Sequence, residues 1–201
     1  AEARGGRRVT RIKICGLTHR DDALLAIELG ADAIGFVLEP GSPRYVGEEI
    51  PKWIGDLPPL PAKVAVFGVV RGPVHQSAFD LVQGSEWEVL AVPAPKRIHT
   101  LRIRAGQKAD DFVQQSVNAS ALLLDAHKDG QYGGTGTKVD WDLAAEIVSR
   151  SDRTVLLAGG LNPDNVAEAV RRVRPFAVDV SSGVESSPGR KDPGKLRAFF
   201  E

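Results

Sequence analysis

The sequence predicts a single α/β domain folded as a closed (β/α)8 barrel, and three observations carry that expectation. Short apolar runs alternate with stretches of helical periodicity along the chain. The runs are apolar at successive positions, as in strands buried on both faces of a parallel sheet. No Pro/Ser-rich linker divides the 201 residues, and eight units of about 25 residues lie within the lower range of such barrels. An open doubly wound sheet is the other architecture that fits this alternation. The expected domain covers residues 1–201, with the basic stretch over residues 1–8 as a flexible lead-in.

Residues 9–15 (VTRIKIC) read as the first strand and residues 21–29 as the first helix, with Ala23, Leu24 and Ile27 on one side. Gly30 supplies its stop. Residues 32–38 form the second strand, 48–57 the second helix, 63–70 the third strand and 73–83 the third helix. Residues 87–92 (WEVLAV) are expected as the fourth strand. The PAPKR that follows leaves no room for a full helix before the fifth strand at 98–104, so the fourth helix is expected to be shortened or missing. Further on come a helix at 109–118, a strand at 121–124, a helix at 140–149 and a strand at 154–158. A helix at 163–173 has Asn162 as its N-cap and Pro163 at its first position. A strand at 176–180 and a helix at 193–200 close the chain.

Composition narrows the partners. The 26 basic and 26 acidic side chains cancel, so no charge excess invites nucleic acid or an anionic membrane. No apolar run approaches the roughly 20 residues that span a bilayer, and AEARGGRRVT has no hydrophobic signal core. One cysteine makes no internal disulfide, which fits a reducing, cytoplasmic setting. The four histidines and the cysteine show no metal-ligand spacing, so no metal is expected.

In either architecture the ligand site lies at the C-terminal ends of the strands. The first strand ends in Cys15, the second leads to Arg44, and the sixth ends in Asp125. The last two end in Gly159-Gly160 and Ser181-Ser182-Gly183. Gly-Gly ahead of a helix lets backbone approach an anion, and the serine turn adds hydroxyls, so the pair reads as a phosphate site. A thiol at a strand end can act as nucleophile or base, although free cysteine is often only a small hydrophobe. A carboxyl after three leucines can be held protonated by desolvation and act as a general acid, or it can cap the following turn. Arg44 has the fork that grips a carboxylate.

Five segments together resemble the phosphoribosylanthranilate isomerase family of tryptophan biosynthesis: KICGLT (13–18), GADAIGFVLEPGSPRYV (30–46), LLLDA with YGGTGTKVDW (122–141), AGGLNPDNV (158–166) and VDVSSGVESSPGRKD (178–192). The resemblance implies a (β/α)8 TIM barrel without metal or organic cofactor. It also implies an Amadori rearrangement of N-(5-phosphoribosyl)anthranilate to 1-(2-carboxyphenylamino)-1-deoxyribulose 5-phosphate. By that resemblance Cys15 is the general base, Asp125 the general acid and Arg44 the partner of the anthranilate carboxylate. Gly159, Gly160, Ser181, Ser182 and Gly183 hold the phosphate. Gly134 and Gly136, in a mobile cover at 132–136, and Asp179 contact the substrate. The protein is expected to be a monomer or a homodimer. The family usually carries Gln-Leu-His-Gly at the end of strand four, followed by a helix, and residues 89–103 show neither. Two rivals follow: a catalytically impaired phosphosugar-binding barrel, and the related sugar-phosphate isomerase of histidine biosynthesis. The latter family uses paired carboxylates, against which Cys15 argues.

Overall fold

A computed structural model describes residues 9–70, 78–87, 96–104, 106–113, 119–126 and 140–201. Eight parallel strands close into a ring: β1 (Arg11–Ile14), β2 (Ala33–Val37), β3 (Ala62–Val66), β4 (Leu81–Gly84), β5 (Lys96–Ile103), β6 (Ala121–Ala126), β7 (Thr154–Leu157) and β8 (Ala177–Val180). Each strand lies beside its sequence neighbours, and β8 closes on β1 through the register Lys13↔Asp179. The described helices are α1 (Arg20–Glu28), α2 (Lys52–Gly55), α3 (Asp110–Val113), α4 (Trp141–Arg150), α5 (Val166–Val173) and α6 (Pro193–Phe200). None is long and apolar enough to cross a membrane.

The two-residue period of each strand sorts its side chains into two cores. Ile14, Ile34, Phe36, Leu122, Leu124, Leu157 and Val178 pack outward with helix residues such as Ala23, Ala144, Ile147 and Leu196. Val64, Ile98, Ala121, Leu123, Leu156 and Ala177 fill the barrel interior. This is why the strands read as continuous apolar runs. The same period puts Asp125 in phase with Leu123, Cys15 in phase with Lys13, and Asp179 in phase with Ala177. All three functional candidates therefore face inward at the mouth.

The fourth strand is not where the sequence pattern placed it. It is Leu81–Gly84, the end of the segment expected as the third helix. Asp80 sets its register. Its carboxylate accepts a hydrogen bond from the Lys63 amide at 2.8 Å, and its own amide donates to the Lys63 carbonyl at 2.8 Å. A four-residue strand carries too little periodicity to be told from a helix end, and closure of the ring decides it. Of the expected strand at 87–92, Glu86–Trp87 pairs with Val69–Val70 in a separate two-stranded ribbon, and the remainder lies outside the described residues. Val69–Val70 thus leaves the third strand, which stops at Val66. The lead-in at 1–8 and residues 93–95 of the PAPKR stretch expected to leave at most a shortened fourth helix also fall outside the described residues, while its Lys96 and Arg97 begin β5.

Two helices show how caps set boundaries. Asp140 accepts hydrogen bonds from the amides of Asp142 and Leu143 at the start of α4, and Asp192 accepts one from the Lys195 amide at the start of α6. The helix expected from residue 163 begins only at Val166. Asn162 instead ties a turn, its Oδ1 accepting from the Asp164 amide while its own amide donates to Asn165 Oδ1.

Candidate active site

One cleft at the barrel mouth is lined by Cys15 and Asp125, by Arg44 and Asp179, and by the turns that hold Gly159, Gly160, Ser181, Ser182 and Gly183. Five separate strand ends thus converge on one space, four of them with side chains and the fifth with the glycine backbone after β7. Gly134 and Gly136 lie outside the described residues.

Cys15 extends β1, its amide donating to the Val180 carbonyl at 2.8 Å. Two residues earlier on the same face, the buried Lys13 donates to Asp179 Oδ1 at 2.7 Å. The neighbouring β2 contributes Gly35, where a Cβ would lie 2.9 Å from Cys15 Sγ and 3.2 Å from Lys13 Nζ. Glycine here makes the space that the thiol and the ammonium share. Burial pushes the Cys15 thiol up, Lys13 pulls it down, and Asp179 pushes it up again; the outcome lies above the ordinary thiol value. For Lys13 burial acts to lower the pKa, but Asp179 and then Cys15 outweigh it, and the direction is upward.

Asp125 stands at the end of β6, opposite Arg102 in the register with β5. Its Oδ1 accepts a hydrogen bond from the Ala126 amide at 2.9 Å. Burial, and then the charge of Asp179, push its carboxyl up to about 6; the Ala126 amide, Arg102 and Lys13 pull in the other direction. A carboxyl so placed keeps a substantial protonated fraction near neutrality, as a general acid requires.

The β7 and β8 turns have the backbone expected of an anion cradle. Gly159 and Gly160 are both left-handed, with φ of 81° and 68°, a conformation glycine alone adopts without strain. Asn165 holds this turn by donating from Nδ2 to the Gly160 carbonyl at 2.9 Å. Gly183 packs against the same turn so closely that a Cβ would lie 1.9 Å from the Leu161 carbonyl oxygen. Ser181 Oγ is buried and has no hydrogen-bond partner, an acceptor and donor left for a ligand.

Sequence reasoning missed Lys13, Glu185 and Lys191. Lys13 had a legible signal, since a lysine in phase with Cys15 on a buried strand must face the interior. The other two had none. Glu185 grips Arg44 with both oxygens, accepting from Nε at 2.9 Å and from Nη2 at 2.7 Å. Lys191 donates to Glu185 Oε1 at 2.9 Å, to the Cys15 carbonyl at 2.7 Å and to the Ser181 carbonyl at 3.1 Å. This buried network ties the end of β1 to the end of β8 and seats Arg44 over Gly16, where a Cβ would lie 2.5 Å from Arg44 Cδ. For Glu185 burial acts upward, but hydrogen bonds from Arg44 and the charge of Lys191 hold its carboxyl below the ordinary value.

The family model described as N-(5'-phosphoribosyl)anthranilate isomerase matches residues 12–201. The chain is 44% identical over 201 residues to the N-(5'-phosphoribosyl)anthranilate isomerase of Citrifermentans bemidjiense, covering 96% of each protein. It is 44% identical over 199 residues to that of Trichlorobacter lovleyi, covering 94% of this chain and 96% of the relative. Among solved structures, the phosphoribosyl anthranilate isomerase of Thermus thermophilus superposes with a TM-score of 0.80 at 33% identity, covering 95% of this chain and 96% of that one. A phosphoribosyl anthranilate isomerase in complex with reduced 1-(o-carboxyphenylamino)-1-deoxyribulose 5-phosphate superposes with a TM-score of 0.74 at 33% identity, covering 96% and 97%.

Proposed function

The chain belongs to the N-(5'-phosphoribosyl)anthranilate isomerase family, and we propose that Cys15 and Asp125 divide between them the two proton transfers of that family's rearrangement. The observation that carries this assignment is their convergence, from β1 and β6, on one cleft that also holds the glycine and serine turns. The substrate is a phosphosugar carrying an aromatic carboxylate. Gly159, Gly160, Ser181, Ser182 and Gly183 hold the phosphate and so orient the ribose between acid and base. Asp125 donates its proton to the ring oxygen, the C1–O bond breaks, and the anilinic nitrogen becomes an iminium. That positive charge acidifies the C2–H. Cys15 Sγ, as thiolate, takes the C2 proton, and the C–H electron pair forms the C1=C2 bond and neutralises the nitrogen. The resulting enolamine gains a proton at C1 and loses one from O2 to give the ketone.

Arg44 faces the substrate carboxylate in this reading, with its guanidinium seated by Glu185. Asp179, bound to Lys13, contacts the sugar. The fourth strand ends in Gln83-Gly84, the first and last residues of the Gln-Leu-His-Gly pattern without the Leu-His between them. Gln83 lines the cleft, so the fourth strand contributes a polar side chain to the site. One ring of strands from Arg11 to Val180 supports one domain over residues 1–201. A free thiol as base fits a cytoplasmic setting.

The test is the loss of phosphoribosylanthranilate fluorescence in a coupled assay. Cys15→Ser and Asp125→Asn are each expected to lower kcat by about 10²-fold or more with the circular dichroism spectrum unchanged. A rate near that of the unmodified chain in either variant removes that residue from its role.

A further inference from the structure

Lys13 is almost wholly buried, at 1% exposure, and its Nζ lies 2.7 Å from Asp179 Oδ1. Stability does not account for such a pair, since a buried ion pair is often no better than well-packed apolar residues of the same volume. The pair also stands at the mouth of the barrel, where the interior layers below it are apolar. A second observation gives it a use. The hole left by the missing side chain of Gly35 is bordered by Cys15 Sγ and Lys13 Nζ together, a Cβ there lying 2.9 Å from the sulfur and 3.2 Å from the nitrogen. Sulfur and ammonium therefore border one buried space, with no side chain of β2 between them.

We infer that Lys13 is the positioning residue that gives Cys15 its counter-charge: the ammonium, shared between Asp179 and Sγ, holds the thiolate in place to take the C2 proton. This rests on the reading of Cys15 as the base. Lys13 keeps its own protons throughout and acts only through the sulfur.

The charges around Cys15 come from every neighbouring element. Lys13 lies on β1 and Asp179 on β8, while Gly35 of β2 brings none. Lys191 reaches in from the segment before α6 and bonds the Cys15 carbonyl at 2.7 Å. Arg44 packs over Gly16 with its charge held by Glu185, and Asp125 stands across the cleft. Burial and Asp179 oppose the thiolate, whereas Lys13 and Lys191 favour it, Lys13 the more strongly. Lys13 is the cation whose ammonium borders the same Gly35 hole as the sulfur.

Cys15 is the only thiol in the chain, so ultraviolet thiolate absorbance, read against a Cys15→Ser control, titrates this group alone. In Lys13→Met the midpoint is expected to rise by about one pH unit or more, with kcat falling about tenfold or more, while Lys13→Arg keeps the midpoint near its original position. Because Lys13→Met leaves Asp179 uncompensated, a second comparison sets Asp179→Asn against Asp179→Asn with Lys13→Met. The midpoint is expected to be higher in the double variant. Equal midpoints in both comparisons overturn the inference. A midpoint that moves while kcat stays constant supports Lys13 as the counter-charge and overturns Cys15 as the base, so the two failures are told apart.

Discussion

On the β7, β8 and β1 side of the barrel mouth the site is shaped by backbone around the side chains of Cys15, Asp179 and Ser181: left-handed Gly159 and Gly160, the close-packed Gly183 and the end of β1 held by Lys191. On the facing β3, β4 and β5 side it is made of side chains, among them Val66, Phe67, Gln83 and Arg102. The β7–β8 side is braced by α4, α5 and α6, of 8 to 10 residues. Phosphate is the same in every sugar phosphate and suits a cradle set by backbone before the ligand arrives.

Breaking the backbone-built side is expected to have the largest effect. Gly183→Ala places a methyl group 1.9 Å from the Leu161 carbonyl oxygen and 2.9 Å from its carbon, so one turn must move. A fall in kcat/KM of about 10²-fold or more, with a lower melting temperature, is expected. An unchanged KM and melting temperature would show the two turns to be more plastic than the geometry indicates.

Arg44→Ala comes next, because Arg44 bridges the two sides. It lines the cleft from the β2 loop yet is anchored to Glu185 beyond β8. KM is expected to rise about tenfold or more with a smaller change in kcat, and steady-state kinetics that leave KM in place would remove Arg44 from the substrate.

A smaller effect sharpens the comparison through pH. The mechanism needs Asp125 protonated and Cys15 ionised, while the carboxyl titrates at about 6 and the thiol lies above its ordinary value. The doubly correct form is a minority whose population is level between the two pKa values and falls outside them. The pH profile of kcat is therefore expected to rise to a plateau near pH 6 and to descend above the thiol's titration. In Asp125→Asn the residual rate keeps rising through pH 6, and a plateau retained there would assign that limb to another group.

Asp125→Asn also carries the smallest expected effect, on stability. The folded pKa of Asp125 is raised from 3.8 to about 6. Its contribution to stability is thus complete below about pH 4 and is lost as pH rises through about 6. Relative to the unmodified chain, Asp125→Asn is expected to gain about 1–3 kcal/mol between pH 4 and pH 7. Denaturant titrations at the two pH values check this, and no difference between them would show that the carboxylate is well solvated in the fold.

How legible each side was follows from the same contrast. The Gly-Gly and Ser-Ser-Gly turns are written in consecutive residues, so the tight turns that line the cleft could be read directly. The Leu122–Leu124 run and its phase with Asp125 likewise announced a strand buried on both faces. The fourth unit could not be read this way. Leu81–Gly84 is too short to display a period, and Asp80 defines it only by bonding Lys63, 17 residues earlier.

The amino-acid order by itself determined the alternation of strands and helices, the place of Cys15 and Asp125 at strand ends, and the paired glycines of the tight turn after β7, because each depends on residues a few positions apart. Tertiary structure alone decided which segment completes the ring, that Lys13 meets Asp179 across 166 residues, and that Arg44 is held by Glu185 across 141. Those pairings depend on the register with which β8 closes on β1, and a closed ring settles that register only when all its strands are in place.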